Sequence, residues 1–496
     1  MSMTEIKGKN VTVIGLARSG AGAANLLQVM GSRVTVTDKK TEKDLGTFIT
    51  KLHPSIRCVL GSHPDEVFTE ADMLVVSPGV PMDIAPVTKA KQRGIPVIGE
   101  LELAYRAAAY FNSAGDEDVI PHIPVTKKAE FLAVTGTNGK STTTALLAFM
   151  IRKAGYTSLL GGNIGNALTE EIVKMVSDTD TQGAASGAGL NLDFIVAEVS
   201  SFQLESIQEF KPFGAAVLNI TPDHLDRYPT LQEYCQAKTR IFENQTNDDF
   251  LVLNNDDPAT LKAAEVKLAG LIDVPKTFFF SRREAVKGLY CTRNTIFCDF
   301  AGFLPIRSHT PIIDSDAIKI KGVHNLENAM AASAMALLAG CPVESVRDSL
   351  KEFPGLEHRL EFVRHIDGVQ YFNDSKGTNV AAVVRSLESF TQPVILIAGG
   401  RDKAGDFSLL AQLVRERVKA LILIGEAREK IKNVLGDFTE TGMADDLEDA
   451  VHMARKRAGS GDVVLLSPAC ASFDMFEDFE DRGRQFKRIV QELKDE

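Results

Sequence analysis

Residues 131–144, FLAVTGTNGKSTTT, decide the fold of this chain. A short apolar run ends at Thr135, a polar turn with two glycines follows, and apolar residues then recur at helical spacing. This order of strand, glycine turn and helix is typical of a phosphate-binding loop, because turn amides and the helix N-terminus point at phosphate oxygens. Lys140 adds a point charge, and the hydroxyl of Ser141 suits Mg2+. The stretch therefore predicts nucleotide binding at residues 136–142.

One position departs from the common GxxxxGKS/T pattern of such loops. That pattern has glycine where this chain has Val134. The alternative to nucleotide binding is a Gly-Lys-Ser turn that arose by chance. The apolar strand before the turn and the helical pattern after it favour nucleotide binding.

The composition of the chain is that of a globular protein with several domains. Hydrophobic residues make up 44% and charged residues 24% of 496 residues, which is ordinary for a folded chain of this length. The net charge of −11 argues against a nucleic-acid surface, since no basic excess is available to neutralise phosphates. Six cysteines without a CxxC pair argue against a zinc site or a disulfide framework. Without an apolar signal segment or a long apolar run, we expect a cytoplasmic protein with no stable membrane association.

A first βαβ unit opens the chain. The β-rich run 11–15 precedes a helix of small residues, and the next strand ends on Asp38. Gly15, Ala17 and Gly20 stand where the glycines of a dinucleotide-binding GxGxxG motif would stand. Alanine at the second position leaves less room for a pyrophosphate to approach the backbone, which favours binding of a mononucleotide over a dinucleotide. A structural βαβ unit without a ligand is the alternative.

Strand and helix patterns alternate through the remainder of the chain. The predicted strands include the apolar runs 194–198, 215–219, 250–254, 394–400, 420–425 and 462–467. Such alternation indicates an α/β protein with mostly parallel sheets. We predict a Rossmann-like N-terminal domain, a central P-loop domain with a mostly parallel sheet and a Rossmann-like C-terminal domain, at 1–108, 109–355 and 356–496. Two polar stretches are interpreted as a linker or insertion, 112–129, and as a mobile surface loop, 177–191.

Two candidate metal ligands follow predicted strands. Glu198 leaves the sheet beside the phosphate-binding loop, where a carboxylate is well placed to hold Mg2+. A cap for the following helix is the alternative role of Glu198. His224 lies in a loop with two acids and an arginine, which favours a ligand or a general base over a structural histidine.

Lys238 lies within the apolar face of a predicted helix. The helix begins with a capping-box signature from Thr230 to Glu233. The face itself is formed by Leu231, Tyr234, Cys235, Ile241 and Phe242. An exposed lysine is the ordinary expectation, but a buried one must be paired, neutralised or modified. Lys238 is therefore a candidate site residue.

Polar residues cluster again in the last third of the chain. Asn325 and Asn328 share a helix face and could contact adenine or ribose, although Asn325 could equally cap the helix. Arg359 suits a bidentate contact to phosphate. Hydrogen-bonding and charged residues also follow three predicted strands, at 371–379, 399–403 and 467–479. These loops predict a local pocket for an anionic substrate on an acidic protein.

Together these stretches resemble the Mur ligase family, the ATP-dependent amide-forming enzymes of peptidoglycan precursor synthesis, over nearly the whole chain. Four stretches resemble features found throughout the family: GTNGKST, the Glu198 segment, HNLEN at 324–328 and the pair His358-Arg359. NDSKGTN, GGRDK and SPACASFDMF are similar to the member that adds D-glutamate.

The resemblance implies a reaction shared among three domains. The N-terminal domain would bind UDP-N-acetylmuramoyl-L-alanine, the central domain ATP and the C-terminal domain D-glutamate. The γ-phosphate would pass to the L-alanine carboxylate, and the D-glutamate amine would then displace phosphate from the acyl phosphate. The amide product would serve cell-wall biogenesis, and so cell shape, cell division and the cell cycle. A monomer without nucleic-acid partners is expected.

The resemblance also implies residue roles. Catalysis would fall to Lys140, Glu198, His224 and Lys238. Two Mg2+ ions would be held by Ser141, Glu198, His224 and Lys238, with Lys238 carbamylated. ATP would contact Gly136, Thr137, Asn138, Gly139, Lys140, Ser141, Thr142, Asn325, Asn328, Arg359 and Asp374. The nucleotide sugar would contact Ser19, Asp38, Ser77, Gly79, Asn163 and Ser200. D-Glutamate would contact Lys376, Thr378, Lys403, Ser472, Phe473 and Phe479.

Three other interpretations stay open. The first is another ligase of the same superfamily, such as a folylpolyglutamate synthase, which would carry a different set of motifs in the third domain. A diaminopimelate-adding member should show an Asn-Pro-Arg motif there, and this chain lacks one. The second is an NAD-dependent oxidoreductase built on the first βαβ unit, which would not account for the phosphate-binding loop or for Lys238. A non-catalytic nucleotide switch would bind nucleotide without releasing phosphate in response to D-glutamate.

Overall fold

A computed structural model describes residues 3–113, 129–181, 190–224, 227–403 and 405–494 of the chain. Within them, three β-sheets of five, nine and six strands follow one another, and the prediction of an α/β fold is confirmed. The polar stretches 112–129 and 177–191 lie largely outside the described residues. Their first residues belong to helices that end at Ser113 and Thr181. The loop predicted from residue 177 is therefore wrong for its first turn, which continues a helix.

Strands and helices alternate in the described part of the N-terminal domain. The elements are β1 (Asn10–Ile14), α1 (Arg18–Val29), β2 (Arg33–Asp38), α2 (Glu42–Ile49), β3 (Arg57–Leu60), α3 (Glu66–Thr69), β4 (Met73–Val76), α4 (Ala85–Gln92), β5 (Val97–Gly99) and α5 (Glu100–Ser113). The sheet is parallel in the order β3-β2-β1-β4-β5, as expected for a Rossmann-like domain. A Cβ at Gly20 would lie 1.9 Å from the carbonyl oxygen of Gly15, so α1 can pack this closely on the end of β1 only with glycine there.

The central domain contains the sheet that carries the phosphate-binding loop. Its elements are β6 (Glu130–Thr135), α6 (Lys140–Lys153), β7 (Ser158–Gly162), α7 (Leu168–Thr181), β8 (Phe194–Glu198), α8 (Ser201–Leu204), β9 (Gly214–Val217), α9 (Leu231–Thr239), β10 (Phe250–Asn254), α10 (Pro258–Leu268), β11 (Lys276–Ser281), β12 (Gly288–Thr292), β13 (Thr295–Asp299), β14 (Thr310–Asp314), α11 (Val323–Leu338) and α12 (Val343–Glu352). β6 lies between β8 and β9 and is parallel to both. Their carboxyl ends, and the loops that follow them, therefore lie side by side.

One edge of the central sheet is antiparallel, which the sequence analysis did not predict. β13 pairs antiparallel with both β12 and β14. The turn between β12 and β13 consists of Arg293 and Asn294, whose φ angles are 48° and 68°. Two left-handed residues are what a two-residue hairpin turn needs, but such turns are usually recognised by glycine, which is missing here.

The third sheet builds the C-terminal domain. Its elements are β15 (Glu361–Ile366), β16 (Val369–Asn373), α13 (Val380–Glu388), β17 (Val394–Gly399), α14 (Ala411–Arg417), β18 (Val418–Ile424), α15 (Arg428–Leu435), β19 (Glu440–Met443), α16 (Leu447–Arg457), β20 (Val463–Leu466) and α17 (Phe479–Glu492). The strand order is β15-β16-β20-β17-β18-β19, and only the β15/β16 pair among these strands is antiparallel. β20 therefore lies between β16 and β17, although it comes last in sequence.

The chain forms two compact units. One unit comprises Met1–Ile318 and Glu327–Glu352 and contains the first two sheets, and the other comprises Lys319–Leu326 and Phe353–Glu496 and contains the third. The boundaries predicted near residues 108 and 355 remain predictions. Among the described residues, no helix has the length and apolar character required to cross a membrane.

Candidate active site

The phosphate-binding loop joins β6 to α6 as predicted. Gly136 and Gly139 adopt φ angles of 153° and 82°, which side-chain-bearing residues rarely adopt. A Cβ at Gly139 would also lie 2.2 Å from Oδ1 of Asn328, so the loop has no room for one. The Lys140 ammonium donates to the carbonyl oxygens of Gly136 and Thr137, at 2.9 and 3.0 Å. The lysine thus lies folded over the loop in which phosphates would bind.

Asn219 holds this loop from the neighbouring strand, and the sequence analysis missed it. Its Oδ1 accepts the backbone N–H of Asn138 at 2.9 Å, and its Nδ2 donates to the backbone carbonyl of the same residue at 3.1 Å. The backbone N–H of Thr137 donates to the carbonyl of Asn219 at 2.9 Å. A polar residue at the end of the predicted strand 215–219 was the available signal, because this strand end lies beside β6.

Replacing Asn219 with alanine should raise the KM for ATP about tenfold, because a loop held by about 1–3 kcal/mol of hydrogen bonds loses its preorganised shape. Steady-state phosphate release at varied ATP concentration measures this. Asn254→Ala is the matched control, since Asn254 ends the next strand and bonds to Leu218 and Asp256 rather than to the loop. A KM for ATP that rises equally in both variants would contradict a specific role for Asn219.

Glu198 ends β8 with a fully buried carboxylate. It is 2% exposed; Oε1 accepts from Nδ2 of Asn163 at 2.7 Å, and Oε2 has no hydrogen-bond partner among the described residues. The alternative role as a helix cap is wrong, because Ser200 caps α8 and forms a capping box with Gln203. A buried carboxylate oxygen without a partner is costly, which suits a position that a cation occupies.

Lys238 is buried against the phosphate-binding loop, as its place in the helical pattern suggested. It is 1% exposed, and its amine donates to the carbonyl of Gly136 at 2.8 Å. The ring of Tyr234 lies 4.6 Å from the same nitrogen. Burial, followed by the nearby positive charge of Lys140, holds the pKa of Lys238 well below its usual value. Leu231, predicted on the same face, is instead 37% exposed.

Two predicted site lysines therefore meet at one acceptor. Lys140 and Lys238 both donate to the Gly136 carbonyl, although 98 positions separate them in the sequence. The negative charges of Asp223 and Glu198 act on Lys238 in the opposite direction, raising its pKa. The acidic and basic candidates of the central domain are thus gathered around the end of β6.

His224 lies at the rim of this cluster with an exposed side chain. Its φ angle is 53°, and its Nε2 lies 3.7 Å from a carboxylate oxygen of Asp223. The ring of Phe202 packs against the imidazole at a centroid distance of 4.8 Å. In the described part of the chain, no group of three or more histidine, cysteine, aspartate or glutamate side chains is arranged to hold a metal ion. A metal here would need lysine, serine or phosphate ligands as well.

A cavity of about 360 Å³ opens beside Glu198. It brings together five of the residues predicted to bind the nucleotide sugar, namely Ser19, Asp38, Ser77, Gly79 and Asn163. The carboxylate of Asp38 accepts the backbone N–H groups of Leu16 and Lys40, at 2.7 and 2.8 Å, so it shapes the wall of the cavity. Asn163 both lines the cavity and donates to Glu198, which places the two sites next to each other. Ser200 caps α8 and is not among the lining residues.

In the second unit, the three polar loops after β16, β20 and β17 form one cluster. Asp374 is buried, and its Oδ2 accepts the hydroxyls of Ser386 and Ser467 at 2.6 and 2.7 Å. Burial raises the pKa of Asp374. Backbone N–H groups of Arg401 and Ala471 each donate to the other residue's carbonyl, at 2.9 and 3.0 Å. The loops that sequence analysis proposed for an anionic substrate are therefore assembled.

The residues predicted for D-glutamate differ in exposure within this cluster. The ammonium of Lys376 lies 5.0 Å from the ring centroid of Phe479. Ser472 is buried, whereas Lys403 and Phe473 are exposed and Thr378 is partly buried. Their contacts with D-glutamate remain predictions.

Arg482 hydrogen-bonds to two loops of this cluster, and the sequence analysis did not predict it. It is fully buried, and it donates to the hydroxyl and the carbonyl of Ser375, both at 2.9 Å, and to the carbonyl of Cys470 at 3.3 Å. Burial lowers the pKa of its guanidinium to about 10. Arg482 lies on the buried stripe of α17 with Phe486 and Ile489, so the spacing rule that found Lys238 would have found it.

The remaining predicted ATP contacts lie near the start of α11 and in the second unit. Asn325 lies inside the helix and donates to the carbonyl of Lys321 at 2.8 Å, so it is not the capping residue. Oδ1 of Asn328 accepts the hydroxyl of Thr143 at 3.3 Å, on the helix of the phosphate-binding loop. The positive charge of Arg359 acts on Asp374 within the second unit. Their contacts with nucleotide remain predictions.

The fold and the site define a phosphate-binding-loop α/β protein with a separate cavity beside Glu198. Three family models match it: the Mur ligase MurD-like N-terminal domain at residues 9–99, the Mur ligase middle domain at 134–336 and the Mur ligase glutamate ligase domain at 358–470. The chain belongs to the Mur ligase family, and it is an ATP-dependent amide-forming ligase.

Relatives match the chain over its full length. A Geotalea daltonii protein named UDP-N-acetylmuramoylalanine--D-glutamate ligase is 46% identical, with 99% of this chain and 98% of that protein covered. A Clostridioides difficile protein of the same name is 39% identical, with 99% and 100% covered. Among solved structures, MurF from Thermotoga maritima in complex with ADP has a TM-score of 0.57 at 14% identity, covering 99% of this chain and 97% of that one. An identity this low shows the shared fold alone.

Proposed function

We propose that this protein joins D-glutamate to UDP-N-acetylmuramoyl-L-alanine, with ATP converted to ADP and phosphate. The proposal is carried by the assembly of the 373–379, 399–403 and 467–476 loops at adjacent strand ends in a chain of this family. Full-length relatives bear the name of this reaction, which supports the same assignment here. The product would enter peptidoglycan precursor synthesis, and we infer a cytoplasmic enzyme because its substrates are water-soluble nucleotides and amino acids. The monomeric state remains a prediction.

The chemistry requires an activated carboxylate. An amine cannot displace oxide from a carboxylate anion, so the γ-phosphoryl group of ATP is first transferred to an oxygen of the L-alanine carboxylate. The amine nitrogen of D-glutamate then attacks the carbonyl carbon, and the tetrahedral intermediate loses phosphate and a proton to leave an amide. Lys140 would move from the loop carbonyls to the β- and γ-phosphates, where its charge stabilises the transferred group.

We propose that two Mg2+ ions bind beside the loop. The partnerless Oε2 of Glu198 and the hydroxyl of Ser141 would be oxygen ligands for the first ion, and His224 with Lys238 would hold the second. Bound Mg2+ neutralises phosphate charge during phosphoryl transfer. Asn163 keeps Glu198 oriented toward this position through its bond to the other carboxylate oxygen.

A carbamate on Lys238 would give the second ion its anionic ligand. Burial lowers the pKa of Lys238, which increases the fraction of its amine in the neutral form that can add CO2. The addition forms a nitrogen–carbon bond, releases a proton and converts a cation into a carboxylate-like ligand. The Gly136 carbonyl, which now accepts from this amine, would accept equally from the N–H of the carbamate.

An amino-acid panel tests the proposed function. Purified protein receives ATP, Mg2+ and UDP-N-acetylmuramoyl-L-alanine, and phosphate release is measured with each amino acid in turn. Release with D-glutamate and not with L-glutamate or diaminopimelate is the expected result. Release that is indifferent to the amino acid, or that requires a folate acceptor in place of the nucleotide sugar, would overturn the proposal.

A further inference from the structure

A three-residue cluster, here called the Glu205 anchor, lies between the cavity and His224. It consists of Glu205, Arg227 and Tyr228. The Glu205 carboxylate accepts from Nε of Arg227 at 3.1 Å and also from its Nη2, and it accepts the Tyr228 hydroxyl at 2.5 Å. The Arg227 and Glu205 side chains are only 17% and 20% exposed, so this bidentate pair is largely screened from solvent.

Two residues of the anchor also bond to the backbone of His224. The N–H groups of Arg227 and Tyr228 both donate to the His224 carbonyl at 3.0 Å. His224 has a φ angle of 53°, a left-handed conformation that costs free energy for a residue with a side chain and persists where the surroundings hold it. Both donors are residues whose side chains bond to Glu205, so the anchor supports the histidine.

The guanidinium of Arg227 extends the anchor in two further directions. Its carbon lies 4.5 Å from the ring centroid of Phe202, the ring that packs against the His224 imidazole. Its Nη1 donates to the carbonyl of Pro78 at 3.4 Å, and Pro78 lines the 360 Å³ cavity together with Ser77 and Gly79. The Arg227 side chain therefore contacts both Pro78 in the cavity wall and Phe202, the ring that packs against His224.

We propose that Arg227 is a positioning residue that sets the spacing between the nucleotide-sugar cavity and His224. The inference rests on the proposed function, in which a substrate bound by its nucleotide must present a distant carboxylate at the phosphate-binding loop. A displacement of about 1 Å between these two positions is enough to slow such a reaction about 100-fold. Arginine is needed because a lysine supplies one point charge and cannot hold Glu205 by two bonds while it reaches Pro78.

The test compares Arg227→Lys, Arg227→Met and Glu205→Gln in the full-length protein. For each variant, the kcat/KM for the nucleotide sugar, the Mg2+ concentration giving half-maximal rate and the KM for the amino acid are measured. In the Arg227 variants we expect the kcat/KM for the nucleotide sugar to fall about 10- to 100-fold and the Mg2+ requirement to rise, with the KM for the amino acid unchanged. Glu205→Gln should show the same pattern more weakly, since an amide still accepts one bond.

Arg455→Lys is the matched control, because Arg455 pairs with Asp367 at 2.8 Å and is 19% exposed, but lies in the second unit. It should leave all three kinetic values unchanged. Thermal unfolding of every variant separates a general loss of stability from a loss of positioning. Arg227→Lys with wild-type values for nucleotide sugar and Mg2+, or with equal losses for all substrates, would overturn the proposal.

The comparison uses whichever amino acid supports phosphate release in the panel described above. Failure of D-glutamate specificity would thus reject the proposed function while leaving the role of Arg227 measurable. A selective defect with another amino acid would still support the positioning role, and no selective defect with any amino acid would reject it.

Discussion

Replacing Glu198 with glutamine is expected to reduce ATP-dependent phosphate release about 1000-fold, which corresponds to about 4 kcal/mol of lost transition-state stabilisation. The amide keeps the size of the side chain and the acceptor for Asn163, but it removes the negative charge from the position of Oε2. ATP should still bind, because the loop from Gly136 to Gly139 is untouched. Phosphate release at saturating substrates and ATP binding by calorimetry measure the two effects separately.

Glu100→Gln provides the control for Glu198→Gln. Glu100 is also buried, also has a partnerless Oε2 among the described residues, and belongs to the same unit, but it bonds to Thr169 at the start of α7. Its replacement should cost less than about tenfold in rate, because the amide oxygen still accepts from Thr169 and Glu100 makes no bond to the phosphate-binding loop. Equal losses in the two variants would show that Glu198 acts only as a buried structural carboxyl.

Replacing Lys238 with alanine is expected to lower activity about 100-fold or more, since the proposed metal ligand and its bond to the Gly136 carbonyl would both be lost. Wild-type activity should fall when CO2 and bicarbonate are removed and should return when bicarbonate is added. The variant should respond to neither change. In 13C-labelled bicarbonate, NMR should detect a carbamate carbon in the wild type that is missing in Lys238→Ala.

Lys211→Ala is the comparison for Lys238→Ala. Lys211 lies in the same unit, is 34% exposed and pairs with the carboxylate of Asp249 at 3.1 Å, whereas Lys238 is buried and donates to a backbone carbonyl. Its bicarbonate response should equal that of the wild type. Lys238→Ala with a wild-type rate, or a wild-type rate that ignores bicarbonate depletion, would disprove the carbamate.

Much of the candidate site was predictable because its signals are local. The phosphate-binding loop is a continuous motif, and the burial of Lys238 follows from helical spacing on α9. The same spacing placed Leu231 on the buried face, yet it is exposed because it occupies the first turn, where the helix has not yet reached the core. Periodicity therefore identified the buried stripe but not its beginning.

The missed residues act through contacts between distant parts of the chain. Asn219 supports Asn138 across 81 positions, and Arg482 supports Ser375 across 107. The sequence around Asn219 or Arg482 does not indicate which backbone group the side chain will bond to, because that depends on the order of the strands in the sheet. The hairpin turn at Arg293 and Asn294 was missed for a different reason: residues with side chains adopt a conformation for which glycine is the usual marker.

The position of β20 has a consequence for how the protein is made. Ribosomes deliver the chain from its N-terminus, so β16 and β17 emerge long before β20, the strand that lies between them and pairs with both. Arg482, which holds the loops after β16 and β20, emerges later still. The loop cluster at the ends of β16, β20 and β17 can therefore assemble only after β20 and Arg482 have left the ribosome, whereas the phosphate-binding loop and Asn219 emerge much earlier.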